Sequence, residues 1–317
     1  MRISEIIGHE REINALRASL KSNRFAHAYL FAGPDGIGKG MLARALAAFL
    51  NCKAGVDDSC GVCPSCVAIS SMAAHQNVIE IWPTDADGET DLNGLIRVAA
   101  IRDVQSRLRY KVESGVKVVI VEAADRFMPQ SANAFLKTLE EPPEATVIFL
   151  ITARPFVLLP TVLSRCQRVN FAPLEIEKVS AFLTDKKSYP SSEAAKAARM
   201  SEGSISKALA WLYEGQGLLR LQLAERLGQL TGQDADQALR FADELSKRED
   251  VDEALETFKL WYRDMAVCCS KGGAPHETLR AIACYSAINA AQEEIRPPRY
   301  ANKLLAMETL VLQLAGC

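Results

Sequence analysis

Residues Gly33-Pro34-Asp35-Gly36-Ile37-Gly38-Lys39-Gly40 follow the apolar run Ala28-Tyr29-Leu30-Phe31. A strand, a glycine-rich turn and a lysine in this order make the phosphate-binding loop G-x-x-x-x-G-K-[ST]. Its backbone N–H groups and lysine cradle phosphate oxygens. The closing Ser or Thr of that pattern ligates Mg²⁺ through its hydroxyl. Here the position is Gly40, which has no side chain. The loop keeps its anion donors and lacks a metal ligand that hydrolysis uses.

The opposite wall departs in the same direction. Lys117-Val118-Val119-Ile120-Val121 reads as a buried strand and runs into Glu122-Ala123-Ala124-Asp125. A hydrolysing loop protein ends this strand in an Asp that helps hold Mg²⁺, and in many families a Glu follows to activate water. Glu122 stands at the Asp position and Ala123 at the Glu position; alanine cannot take a proton. Two changes on two walls of one site predict lost turnover.

Of the nine cysteines, Cys52, Cys60, Cys63 and Cys66 fall in C-x7-C-G-x-C-P-x-C spacing. Overlapping C-x2-C steps let backbone turns aim thiolates at one point, and a fourth sulfur completes a tetrahedron. Disulfides and free thiols are the alternatives, and a reducing compartment disfavours the first. Four thiolates also suit an iron–sulfur cluster; the spacing favours structural zinc. Four sulfur ligands leave no open position, which argues against a zinc enzyme. His75 reads as an ordinary polar residue. Cys166, Cys268, Cys269, Cys284 and Cys317 read as small hydrophobes.

The elements that must position these groups follow from periodicity. The N-terminal half alternates strands and helices. It runs from a helix over 10–20 and a strand over 28–31 to a helix over 39–50 that opens on the loop. A strand over 78–81, an Asp-rich loop over 83–91 and a helix over 96–108 come next. Apolar strands at 118–121 and 147–151 flank a helix over 131–141 ended by Pro142-Pro143. Continuous apolar strands predict a parallel sheet covered on both sides, a doubly wound α/β domain. After Pro173 strands cease. Short helices are expected over 176–184, 191–200 and 204–214, and purely helical pattern over 217–317, with a capping-box-like start at Asp250 and breaks at Gly272-Gly273 and Pro297-Pro298. Trp211, Phe258, Trp261 and Tyr262 sit at core spacing.

Bulk properties agree. For 317 residues, a prior of about 150 residues per domain gives two or three units. Hydrophobic content is 49%, and no stretch approaches the roughly 20 apolar residues of a membrane span. Met1-Arg2-Ile3-Ser4-Glu5 leads straight toward an amphipathic helix, so no signal peptide is expected. A net charge of −2 argues against a strong grip on nucleic acid by this chain alone.

Several runs occur here in order: His27-Ala28-Tyr29-Leu30-Phe31 into the loop, the four cysteines after its helix, Asn133-Ala134-Phe135-Leu136-Lys137-Thr138-Leu139-Glu140-Glu141-Pro142-Pro143, and Ser164-Arg165-Cys166-Gln167. Together they resemble bacterial DNA polymerase III clamp-loader subunits of the AAA+ superfamily, over roughly residues 1–210. The zinc-bearing members divide into ATP-hydrolysing gamma/tau subunits and the delta-prime subunit. Gly40, Ala123 and the lack of a long C-terminal extension resemble delta-prime.

The resemblance implies an AAA+ domain over 1–172 with a zinc module at about 52–66, a small helical lid over 173–214 and an all-α collar over 215–317. It implies that Arg165 reaches a neighbouring subunit's ATP site as an arginine finger. A guanidinium suits that role because it stays charged and bridges phosphate oxygens with two donors. Active relatives carry G-S-x-R in the lid, where Gly203-Ser204-Ile205-Ser206 has serine, with Lys207 beside it. Thr152 matches a γ-phosphate-sensing residue, or else is a capping hydroxyl. Gly33, Gly38, Lys39, Gly40 and Thr152 would form the degenerate nucleotide site; an empty or anion-filled loop is the expectation, and weak retention of ATP or ADP by Lys39 and the loop amides is the alternative. Implied partners are gamma/tau and delta subunits, with the sliding clamp and primer–template DNA reached through a hetero-oligomer in the bacterial cytoplasm. Arg97, Arg102, Arg107, Arg109 and Lys111 gather on one helix as DNA phosphate contacts or as a solvated face. The alternative function is a hydrolysing gamma/tau-like ATPase acting on DNA.

Overall fold

A computed structural model describes residues 1–22, 24–54, 57–92, 94–110, 114–213, 216–230, 235–271, 274–295 and 302–316. The chain divides into two compact units, Met1–Lys207 and Ala208–Cys317. Lys111, Glu214, Gly272-Gly273, Pro297-Pro298 and Cys317, all invoked above, lie outside the described residues.

In the first unit, α1 (Glu10–Lys21) precedes β1 (Ala28–Ala32), and α2 (Lys39–Leu50) opens directly on the glycine-rich turn. The cysteine segment folds around α3 (Pro64–Ser70). Then come β2 (Val78–Ile81), α4 (Val98–Leu108), β3 (Lys117–Val121), α5 (Pro129–Glu140), β4 (Thr146–Thr152), α6 (Pro160–Leu163) and β5 (Gln167–Asn170). All pairings are parallel, in the order β2-β3-β4-β1-β5. Five parallel strands with the phosphate loop after β1 and helices on both faces form the doubly wound sheet expected from the sequence.

Alternation within the apolar strands fills two cores. Tyr29, Phe31, Val118, Ile120 and Phe149 face the layer with α1, α2 and the cysteine segment. Leu30, Val119, Val121, Ile148 and Leu150 face α4 and α5. On the first face Phe149 stacks on Tyr29 at 5.8 Å and lies 5.2 Å from Phe31. The carboxyl ends of β1, β3 and β4 therefore meet at one edge, where open α/β sheets bind ligands.

Two local readings change. The helix expected from Ile96 begins at Val98, because Ile96 donates its N–H to the Arg126 carbonyl and pairs with Phe127 as in a sheet. β5 carried no apolar signal, being largely exposed; its pairing with β1, Tyr29 opposite Gln167 to Ala32 opposite Asn170, selects the conformation.

The first unit continues with α7 (Ile176–Lys187) and α8 (Ser191–Met200). α9 (Ile205–Leu212) runs across the boundary between the two units. The second unit holds α10 (Gln216–Gln229), α11 (Ala235–Ser246), α12 (Val251–Lys271), α13 (Pro275–Ile295) and α14 (Lys303–Gly316). Its core gathers Leu227, Phe241, Leu255, Phe258, Ile288 and Met307. Phe258 and Tyr262 are buried and Trp261 packs against them, as core spacing predicted; Trp211 is also buried. At the head of α12 the Asp250 carboxylate accepts from Arg220 and Arg248, so ion pairing replaces the side-chain cap expected there. Cys284 is buried and Cys166 half-buried, but Cys268 is exposed on α12 and does not behave as the hydrophobe the sequence suggested.

Truncating Phe149 to Ala removes the ring against which Phe25, Tyr29 and Phe31 pack. Chemical denaturation should report a loss of about 3–5 kcal/mol, with near-UV circular dichroism reporting the disturbed Tyr29 environment.

Candidate functional site

Gly38 caps α2 in the left-handed region, at φ 104°, which a glycine adopts without steric cost. α2 thereby begins with its N–H groups toward the cleft, as an anion site requires. Lys39 is nearly buried, and its Nζ donates to the carbonyls of Gly33 at 2.6 Å and Pro34 at 2.5 Å. Burial lowers its pKa, against the opposing pull of Asp35 and Glu122. A cleft of about 250 Å³ opens between this loop and Ile6, Ile7, Phe182 and Ile205.

Above Gly40 the structure places a charge network that the motifs did not reveal. Arg44, one turn along α2, donates to Glu122 Oε1 at 2.9 Å. The same guanidinium holds Glu80 through Nε at 3.0 Å and Nη2 at 2.8 Å, and it lies over the Trp82 ring at 5.4 Å. A Cβ at position 40 would clash with Oε1 of Glu122 and lie 2.9 Å from Nη1 of Arg44. The carboxylate thus reaches into space that only a glycine leaves open. Burial raises the Glu122 pKa, and Arg44 opposes that rise. Burial likewise acts against the Arg44 charge, but Glu80 and Glu122 outweigh it and raise its pKa. The one sequence signal for this pair was a lone charge inside the apolar helix Leu42-Ala43-Arg44-Ala45-Leu46.

Thr152, at the end of β4, is buried. Its hydroxyl donates to Asp125 Oδ1 at 2.6 Å and accepts from the Arg154 N–H at 2.9 Å. Arg154 also pairs with Asp125 at 2.7 Å. Burial alone would raise the Asp125 pKa; Thr152 and Arg154 hold it below the usual carboxylate range. Before and within the first turn of α9, Ser204 Oγ accepts from the Lys207 N–H at 3.2 Å, and Lys207 Nζ turns to Glu202 at 3.2 Å. Ser206 donates its N–H to the Gly36 carbonyl at 3.3 Å, so the tip of the phosphate loop touches the start of α9.

The four clustered cysteines converge as predicted, with all sulfurs within 4.8 Å of one another and Cys60 and Cys66 sulfurs 4.0 Å apart. Tetrahedral zinc with bonds of about 2.3 Å places sulfurs about 3.8 Å apart, so the donor set fits the ion. Backbone N–H groups support it: Cys60 N donates to Cys52 Sγ and Cys63 N to Cys60 Sγ, both at 3.3 Å. The N–H groups of Val62 and Cys63 lower the Cys60 pKa, and that of Cys66 lowers the Cys63 pKa. Burial pushes Cys66 up to about 12, a value that a bound cation would pull down. His75 stays outside the cluster: Nδ1 accepts the Asn77 N–H, so Nε2 carries the proton toward Ser65 Oγ at 2.6 Å.

Arg165 follows α6 and is partly exposed. It donates to the Thr161 carbonyl at 2.9 Å and pairs with Glu140 at the end of α5. Arg102 and Arg107 on α4 and Arg109 just after it are exposed, whereas Arg97, just before it, is spent on the Thr84 carbonyl and hydroxyl, at 3.1 and 2.7 Å. No helix among the described residues is long and apolar enough to cross a membrane.

The family described as DNA polymerase III, delta subunit, matches residues 8–175, more than half of the chain. The chain belongs to that family. It is similar to the DNA polymerase III subunit tau/gamma of Haemophilus influenzae, 36% identical over 213 residues, covering 65% of this chain and 30% of the relative. It is 35% identical over 172 residues to the subunit tau of Bacillus subtilis, covering 54% of this chain and 29% of the relative. The chain thus spans less than a third of the length of these relatives. A DNA polymerase III gamma subunit-related protein from Thermotoga maritima aligns over 95% of this chain and 98% of its own, at 20% identity and a TM-score of 0.44.

Two outcomes test the site. Elemental analysis should find one zinc per chain, lost in Cys63→Ser; iron, or a second metal, would overturn the assignment. Gly40→Ser should lower stability by about 1–3 kcal/mol, the usual cost of overpacking, and the double variant Gly40→Ser/Glu122→Ala should recover part of it in denaturant titrations.

Proposed function

We propose that this chain is a delta-prime-like subunit of the DNA polymerase III clamp loader that hydrolyses no ATP itself and supplies Arg165 to a neighbouring gamma/tau ATPase. The observation that carries the proposal is the Glu122 carboxylate, held by Arg44, in the space over Gly40. Mg²⁺ in a hydrolysing loop protein is held by a hydroxyl at position 40 and an acid at the end of β3. Here the first is missing and the second is engaged by a guanidinium. Ala123 offers no base, Thr152 spends its hydroxyl proton on Asp125, and Lys207 is turned toward Glu202. Gly33, Gly38 and Lys39 retain the shape of an anion cradle without the metal chemistry. The Cys52, Cys60, Cys63 and Cys66 centre has a structural role, with zinc as its ion.

The exposure of Arg165 supports a role for it outside its own site. It lies on the surface, and its pairing with Glu140 is of the exposed kind, worth about 0–1 kcal/mol, which a phosphate in a partner's site displaces readily. The all-helical second unit serves as the collar that joins gamma/tau and delta subunits in a hetero-oligomer of the bacterial cytoplasm. Arg102, Arg107 and Arg109 contact DNA phosphates as the complex loads the sliding clamp at a primer–template junction.

A second reading, a hydrolysing gamma/tau-like subunit, is favoured by the 36% identity to a tau/gamma subunit over 213 residues and by the intact Lys39.

One pair of measurements separates the readings. The purified chain should show no Mg²⁺-dependent ATP hydrolysis; brisk turnover establishes the second. In a complex reconstituted with gamma/tau and delta, Arg165→Ala should melt like wild type yet depress DNA-stimulated turnover. A finger contributes on the order of 10³ to 10⁵ in rate at the site it serves. Unchanged turnover removes the assignment.

A further inference from the structure

The cysteine centre and the nucleotide cleft are joined by a short chain of hydrogen bonds that neither motif contains. Asp58 sits in the loop between Cys52 and Cys60. Its Oδ1 accepts the N–H of Ile3 at 2.9 Å and of Ser59 at 2.8 Å. Its Oδ2 accepts the N–H of Ser4 at 2.9 Å and the Arg17 guanidinium of α1 at 3.2 Å. One carboxylate therefore caps the 3₁₀ turn Ile3–Glu5 and ties it to α1. Its neighbours repeat the attachment: Ser59 Oγ donates to the Met1 carbonyl at 2.9 Å, and Arg2 Nη2 donates to the Cys60 carbonyl at 2.8 Å. Arg2 lies against Gly61, where a Cβ would come within 3.1 Å of its Nε. The turn so held continues into Glu5, Ile6 and Ile7, which form one wall of the cleft beside Gly36 to Met41.

We propose that Asp58 is a positioning residue that transmits metal loading at Cys52, Cys60, Cys63 and Cys66 to the N-terminal wall of the nucleotide cleft. Asp58 can reach Ile3 and Ser4 together only while the 52–66 loop is closed. Four thiolates closing on one ion fix that loop, because the metal ties Cys52 at its start to the Cys60, Cys63 and Cys66 steps at its end. Without the ion, the carboxylate loses its fixed place and the turn loses the acceptor for two N–H groups. Unpaired turn donors then exchange with solvent through local opening rather than global unfolding. The metal thus stabilises the fold and also sets the geometry of a wall on the far side of the 3₁₀ turn.

Hydrogen exchange on the full chain tests this directly, since the reporting amides are the ones Asp58 accepts. Four samples suffice: zinc-loaded chain, chain stripped by chelator under reducing conditions, and zinc-loaded Asp58→Ala and Asp58→Asn. Exchange over 3–7 should be roughly tenfold faster in the stripped chain and in Asp58→Ala, the scale of a lost cap. β1 and β4 should stay protected, and Asp58→Ala should retain its zinc by elemental analysis. Asp58→Asn should fall between, because its amide NH₂ opposes one backbone donor and its oxygen still accepts the other. Re-adding zinc should restore protection in the stripped wild type and leave the folded Asp58→Ala chain unprotected. Unchanged exchange over 3–7 in the stripped chain overturns the proposal, as does unchanged exchange in a folded, zinc-bearing Asp58→Ala chain. If Asp58→Ala does not fold, Asp58→Asn decides by the same criterion.

Discussion

A guanidinium held between two carboxylates organises the cleft. Arg44 lies almost out of water on α2, with Glu80 at the end of β2 on one side and Glu122 at the end of β3 on the other. Burying such charges is costly, and their mutual attraction offsets the cost only when the geometry is good and remaining donors are satisfied. Here two carboxylates and a Trp82 face meet that demand, so three elements are fixed to one another at the cleft. The arrangement has a steric condition: Glu122 can come this close to α2 only if residue 40 lacks a Cβ. Gly40 and Glu122 are therefore one feature rather than two separate departures from a motif.

Under the proposed function, that condition separates binding from turnover. The backbone geometry that cradles an anion survives in Gly38 and in the first turn of α2. The side chains that would place a metal, activate water or read the terminal phosphate are missing or engaged elsewhere. Thr152 illustrates the point. Its hydroxyl is buried and fully used by Asp125 and Arg154, so it holds β4 to the segment after β3.

The cysteine segment shows how an inserted module becomes part of the domain it interrupts. Its sulfurs meet at one point, but its outward contacts, made through Asp58, Ser59 and the Cys60 carbonyl, fasten the N-terminal turn and α1. The module is thereby continuous with the first core, where Cys66 and Ile69 pack against residues of α2 and the sheet.

The amino-acid sequence by itself determined the phosphate loop, the doubly wound sheet, the cluster of four cysteines and the helical second half. Each of these is written in local terms: glycine spacing, continuous apolar strands, C-x2-C steps and 3.6-residue periodicity. Four of the five strands were legible from their apolar runs, unbroken in the cores of β1, β3 and β4 and interrupted only by Glu80 in β2. β5 was not, because an exposed edge strand is chosen by the backbone groups of β1 and not by its own side chains. The partners of Arg44, the capture of the Thr152 hydroxyl and the reach of Asp58 were decided only by the tertiary structure. Each joins residues dozens of positions apart, and a charge acquires its role from what burial leaves within about 3 Å of it, which no spacing along the chain encodes.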